Sequence, residues 1–149
     1  MTSLNQKILK FGPEFNEPLD NLPEGVEEIH FAYLSEFNHN LDNLPQSLKY
    51  LRLGVSYNRP LDFLPAGLET LIISYHFKHP MINFPIGLKR LGLPPPAPPP
   101  PFGRHLNEYK KIVKDNVYFF ISYPDDDWNY YKNWWNNYLN YPNQKWIKY

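Results

Sequence analysis

The stretch Phe37-Asn38-His39-Asn40-Leu41-Asp42-Asn43-Leu44-Pro45 decides the fold, because the chain writes it four times with small changes. Upstream stands Phe15-Asn16-Glu17-Pro18-Leu19-Asp20-Asn21-Leu22-Pro23. Downstream come Tyr57-Asn58-Arg59-Pro60-Leu61-Asp62-Phe63-Leu64-Pro65 and Phe77-Lys78-His79-Pro80-Met81-Ile82-Asn83-Phe84-Pro85. The starts lie 22, 20 and 20 residues apart, and each copy runs on into an L-x-x-L-x-L pattern or its apolar equivalent. A fixed period of this size with leucines so spaced marks a solenoid whose coils stack to share one core.

Within a coil, Leu48, Leu51 and Leu53 alternate with polar residues around Leu51, which is the pattern of a short half-buried strand. Val26/Ile29/Phe31, Leu48/Leu51/Leu53, Leu68/Leu71/Ile73 and Leu88/Leu91/Leu93 are equivalent. In register they predict a parallel sheet with strands about 4.8 Å apart. Leu9 and Phe11 precede Phe15 as Leu51 and Leu53 precede Tyr57, which adds a partial first coil. Leu22-Pro23-Glu24-Gly25 and its repeats predict a β-turn with proline second and glycine fourth. Coils this short leave no space for a helix of ordinary length, so a thin, irregular convex side is expected. Asn16, Asn38 and Asn58 recur after the aromatic residue and predict a ladder of buried amides, each bonding the neighbouring coil as donor and acceptor. Lys78 ends it.

The run F-N-x-P-L-D-x-L-P-x-G-L-x-x-L resembles the FNIP repeat, a relative of the leucine-rich repeats, over about residues 9–93. Members are known chiefly from social amoebae and from giant DNA viruses that infect amoebae. The resemblance therefore implies a leucine-rich-repeat-like solenoid, and a viral source is compatible with it. Many longer members carry an N-terminal F-box, which makes them substrate adaptors for ubiquitin ligases. The fourteen residues before Phe15 are too few for that domain, so recognition without an F-box is expected.

Composition narrows the function classes. Lysine plus arginine equals aspartate plus glutamate at 15 each, so no net field draws the chain to nucleic acid or to a membrane. The absence of cysteine excludes disulfides and thiolate metal sites. No apolar run reaches membrane-spanning length, and residues 1–7 do not read as a signal peptide, so a soluble intracellular protein is expected.

No catalytic constellation is legible. None of Ser3, Ser35, Ser47, Ser56, Ser74 and Ser122 sits in a glycine-framed elbow, and no glycine loop would cradle a phosphate. His39 and His79 occupy one repeat position but two coils apart, roughly 10 Å, too far to share a metal ion. Asp125-Asp126-Asp127 reads as a helix cap, since no further ligands follow at calcium-loop spacing. The expectation is a protein that is not an enzyme and holds neither metal nor cofactor.

Three zones follow: a solenoid over 1–93, a proline tract over 94–101 and an aromatic segment over 102–149. The tract reads as a polyproline strut or linker, with docking to an aromatic groove as its functional alternative. All four tryptophans, Trp128, Trp134, Trp135 and Trp146, lie in the last zone. Leu106, Tyr109, Ile112 and Val113 predict a helix, and Val117–Tyr123 a strand. Trp128, Tyr131, Trp135, Tyr138 and Leu139 predict a second helix, and Lys145–Tyr149 a last strand. Solenoid ends need covers, so an α+β aromatic cap over Phe84, Leu88 and Leu91 is expected. A partner-binding arm is the alternative.

The positions between the core leucines should form the outward strand face: Glu28, His30, Tyr50, Arg52, Thr70, Ile72 and Arg90. Acidic at one end and basic at the other, this face suits orientation of a protein partner. Non-catalytic protein–protein recognition, possibly as an adaptor, is the leading function. A structural or self-assembling, virion-type component associating through the aromatic tail is the alternative.

Overall fold

The computed structural model describes residues 7–74, 76–93 and 117–121. Six short strands follow in chain order: β1 (Ile8–Phe11), β2 (Glu28–Phe31), β3 (Tyr50–Arg52), β4 (Thr70–Ile72), β5 (Arg90–Leu93) and β6 (Tyr118–Ile121). They pair in that same order in one sheet, and every pair is parallel. Leu9, Ile29, Leu51, Leu71, Leu91 and Phe119 are successive Cα partners, so the repeat leucines stack in register as the spacing predicts. The molecule is a parallel β-solenoid, and among the described residues no helix forms.

The core runs the length of the stack. Val26, Ile29, Leu48, Leu51, Leu68, Leu71 and Leu91 have no measurable exposure. Phe15, Phe37 and Tyr57 form an aromatic column, with successive ring centroids 6.1 Å apart in both steps. On the return path Leu19, Leu41, Leu61 and Met81 supply a further buried row.

The turn is one residue later than the sequence predicts. Leu48, Leu68 and Leu88 donate their N–H to the carbonyls of Pro45, Pro65 and Pro85 at 3.1, 3.0 and 3.1 Å. Proline is thus the first turn residue, and Ser47, Gly67 and Gly87 are the third. At the first position proline's missing N–H is not required, and its ring is free to enter the core. Pro45, Pro65 and Pro85 are all buried. Gly25, with φ +92°, is the one described residue that uses the glycine-favoured region, at the place equivalent to Ser47, Gly67 and Gly87.

The amide ladder is present as acceptors. Asn16 Oδ1 accepts from Asn38 N–H at 3.3 Å, Asn38 Oδ1 from Asn58 N–H at 2.9 Å, and Asn58 Oδ1 from Lys78 N–H at 3.0 Å. Asn16 is exposed and the other two are half-buried, so the row lies at the rim of the core and not within it. The residue after each asparagine closes a second row. His39 Nε2, Arg59 Nε and His79 Nε2 each lie 3.0 Å from the carbonyl oxygen of Asn16, Asn38 and Asn58 respectively. A carbonyl only accepts, so both imidazoles carry hydrogen on Nε2.

The extra two residues of the 22-residue coil fall between β2 and Phe37. There Ala32 O accepts from Ser35 N–H at 3.0 Å, and Ser35 Oγ accepts from Phe37 N–H at 3.2 Å. Leu34 is left on the surface of this bulge.

Of the expected C-terminal cap, the strand is present as β6, which adds to the solenoid sheet itself. The helices expected around Leu106–Val113 and Trp128–Leu139, the strand at Lys145–Tyr149 and the proline tract lie outside the described residues. No helix among the described residues is long and apolar enough to cross a membrane.

Candidate strand-face recognition site

The outward side chains of the sheet form two rows, because successive residues of a strand point to opposite faces. The first row is Ile8, Glu28, Tyr50, Thr70, Arg90 and Tyr118, and the second is Lys10, His30, Arg52, Ile72 and Gly92. All seven residues expected at the site therefore share one face. Ile8, Lys10 and Tyr118 extend it beyond that expectation. Their signal was the same register applied to the partial first coil and to the strand at 117–123.

The face is less open than the sequence implies. Glu28, His30 and Tyr50 are half-buried and Arg90 is exposed. Arg52, Thr70 and Ile72 are only 9, 2 and 6% exposed. With strands about 4.8 Å apart, the long side chains beside a threonine overlie it. Thr70 lies between Tyr50 and Arg90 in its row, and its Oγ1 accepts from Arg90 Nε at 3.1 Å. The centre is thus a floor, flanked by groups that stand higher.

At the N-terminal side the groups are coupled. His30 Nε2 donates to Glu28 Oε2 at 2.8 Å, and the imidazole stacks on Tyr50 with centroids 4.5 Å apart. A hydrogen-bonded and stacked ring is held in one orientation at little further entropic cost. Such preorganisation favours binding.

A charged row borders this face at the residue before each strand: Lys7, Glu27, Lys49, Glu69 and Lys89. Lys7 Nζ meets Glu27 Oε1 at 2.8 Å and Lys89 Nζ meets Glu69 Oε2 at 2.9 Å. Those hydrogen bonds first, and the lysine charges second, hold both carboxylates below their usual range; Lys49 adds to the effect on each. The Lys7 ammonium is raised by the same contact with Glu27. Alternating charge of this kind rewards one register and penalises slippage. Only alignment of the coils reveals it in the sequence.

His39 and His79 are engaged with backbone carbonyls of the preceding coil. Among the described residues no group of three or more His, Cys, Asp or Glu is placed to hold an ion.

The fold defines a repeat protein of the parallel β-solenoid class. Residues 37–76, which span two coils and include β3 and β4, match the family model of the FNIP Repeat, so that stretch carries FNIP repeats. No curated protein and no solved structure matches the chain significantly.

Proposed function

We propose that this protein is a non-catalytic recognition scaffold that binds a protein partner across its strand face. The observation that carries the reading is the outward row in which Glu28 and Arg90 stand on opposite sides of Tyr50 and Thr70, beside a floor that continues into Arg52 and Ile72. Opposite charges on the two sides of that row fix a partner's polarity and reject one docked in reverse. Tyr50 adds a half-buried aromatic ring between them, the residue type that most often anchors interfaces.

The test is capture of partners from the native host with the full chain against a Glu28→Lys/Arg90→Glu double reversal. Neither group is buried, so the variant should still fold, with Tm lowered by the lost Glu28–His30 and Arg90–Thr70 hydrogen bonds. A partner lost by the reversal supports the strand face. A partner set unchanged by it places recognition elsewhere, as does loss only on deletion of residues 122–149.

A further inference from the structure

We infer that the outer edge of β1 is a strand-addition site for an extended partner segment of the pattern acidic-x-apolar-x-apolar. The molecule fills the equivalent edge twice within itself. On the N-terminal side of β3, the N–H groups of Lys49 and Tyr50 donate to Glu27 O at 2.8 and 3.1 Å. On the same side of β5, those of Lys89 and Arg90 donate to Glu69 O at 2.9 and 3.0 Å. Each lysine-led strand is thus preceded by a glutamate-led one.

β1 is also lysine-led, and among the described residues it is the last strand on its side of the sheet. Lys7 O accepts from Glu27 and Glu28, and Phe11 O accepts from Ala32, so these backbone groups face β2. By the alternation of a parallel pair, the N–H and C=O of Ile8 and Lys10 face away from β2.

The side chains specify what the edge accepts. Leu9 and Phe11 are half-buried, whereas Ile29 and Leu51, further along the same stack, are fully buried. An added strand must therefore bring apolar groups opposite Leu9 and Phe11. The charged row ends on Lys7, which calls for a carboxylate two residues before the first of them.

A second copy of this chain fits less well. Head-to-tail stacking would set Val117, which occupies the charged-row place before β6, beside Lys7. Two-fold pairing of β1 with itself would oppose Lys7 and Lys10 of both copies. Lysines on an exposed edge are a recognised guard against self-pairing. A partner peptide of the stated pattern is the occupant that satisfies backbone, core and charge together.

The probe is a labelled peptide of residues 66–74, Ala-Gly-Leu-Glu-Thr-Leu-Ile-Ile-Ser, titrated with the full chain and followed by fluorescence anisotropy. Saturable binding is expected, weakened about tenfold or more when the peptide carries Glu69→Lys or the protein carries Lys7→Glu. Binding should recover when both changes are combined. Lys10→Pro in the protein removes one outward donor and no bond to β2, and proline is tolerated on an edge strand. It should therefore abolish binding with little change in Tm. No binding at millimolar peptide overturns the proposal, as does binding indifferent to Lys7→Glu or to Lys10→Pro. Concentration-dependent self-association of the unliganded chain that Lys10→Pro removes also overturns it, because the edge would then belong to a second copy.

Discussion

Gly54 shows how one coil's irregularity fixes a residue in the next. A Cβ built there would lie 2.6 Å from Ser35 Cβ and 2.7 Å from Ala32 O, because the two-residue bulge after β2 presses Ser35 against it. Gly54→Ala should therefore cost about 1–3 kcal/mol in urea unfolding. Gly12 occupies the matching place before Phe15 with nothing within 4 Å, so Gly12→Ala should be neutral or mildly stabilising. Equal costs at the two glycines would refute the bulge explanation. Tyr57 makes the opposite case. Its ring is fully buried in the aromatic column, and its hydroxyl has no hydrogen-bond partner among the described residues. Burial first, and the charge of Asp42 second, push this phenol far above its usual range, so it stays neutral. The other copies place Phe15, Phe37 and Phe77 there. Tyr57→Phe should raise stability by about 1 kcal/mol, since a buried donor without a partner costs about that or more. A fall in stability instead would show that the hydroxyl is satisfied.

The strands and their register were legible because a period of two is written directly into residues such as Leu51 and Leu53, and the twenty-odd-residue repeat aligns them. Two element-level features were not. Proline is compatible with either of the first two turn positions, so the sequence alone misplaced the turn at Pro45 by one residue. The openness of the strand face also escaped, because burial of Thr70 comes from side chains twenty residues away on either side, such as Arg90. The charged row allows a pH prediction with a definite sign. Glu27 and Glu69 sit below the ordinary carboxylate value of 4.5, so their contribution is complete above it and is lost as pH falls through the lower folded value. Lys7 sits above 10.5, so its contribution is complete below that value and is lost as pH rises through the higher folded one. Tm should thus hold between these limits and decline outside them, with both slopes flattened at about 1 M salt because the groups are exposed. Slopes unchanged by salt would assign the decline to other groups. The asparagine row behaves differently, being uncharged. Asn38→Ala removes the acceptor for Asn58 N–H at the half-buried rim and should cost about 1 kcal/mol, whereas Asn16→Ala, at an exposed and longer contact, should cost less.

At the scale of the whole molecule each coil touches only its neighbours, so stability is a sum of coils and the interfaces between them. The consequence is a gradient. Leu51 is fully buried, with Ile29 on one side of it and Leu71 on the other, and it belongs to two interfaces at once. Leu9 is half-buried at the start of the stack and, among the described residues, has Ile29 as its one strand partner. Leu51→Ala should cost about 2–5 kcal/mol, the range for a core leucine whose cavity cannot collapse, and should lower the single unfolding midpoint of the chain. Leu9→Ala should cost distinctly less, because the site is partly wet already and only one interface is weakened. Native-state hydrogen exchange separates the two effects. In Leu9→Ala the amides of Glu28 and Ala32, which donate to Lys7 and Phe11, should exchange faster while those of Thr70 and Arg90 keep their protection. In Leu51→Ala all four should lose protection together, because the break falls in the middle of the stack. If instead Leu9→Ala accelerates exchange at Thr70 and Arg90 as strongly as at Glu28, the first coil is an integral part of one cooperative unit. Its outer edge would then be the boundary on which the stability of the whole solenoid depends.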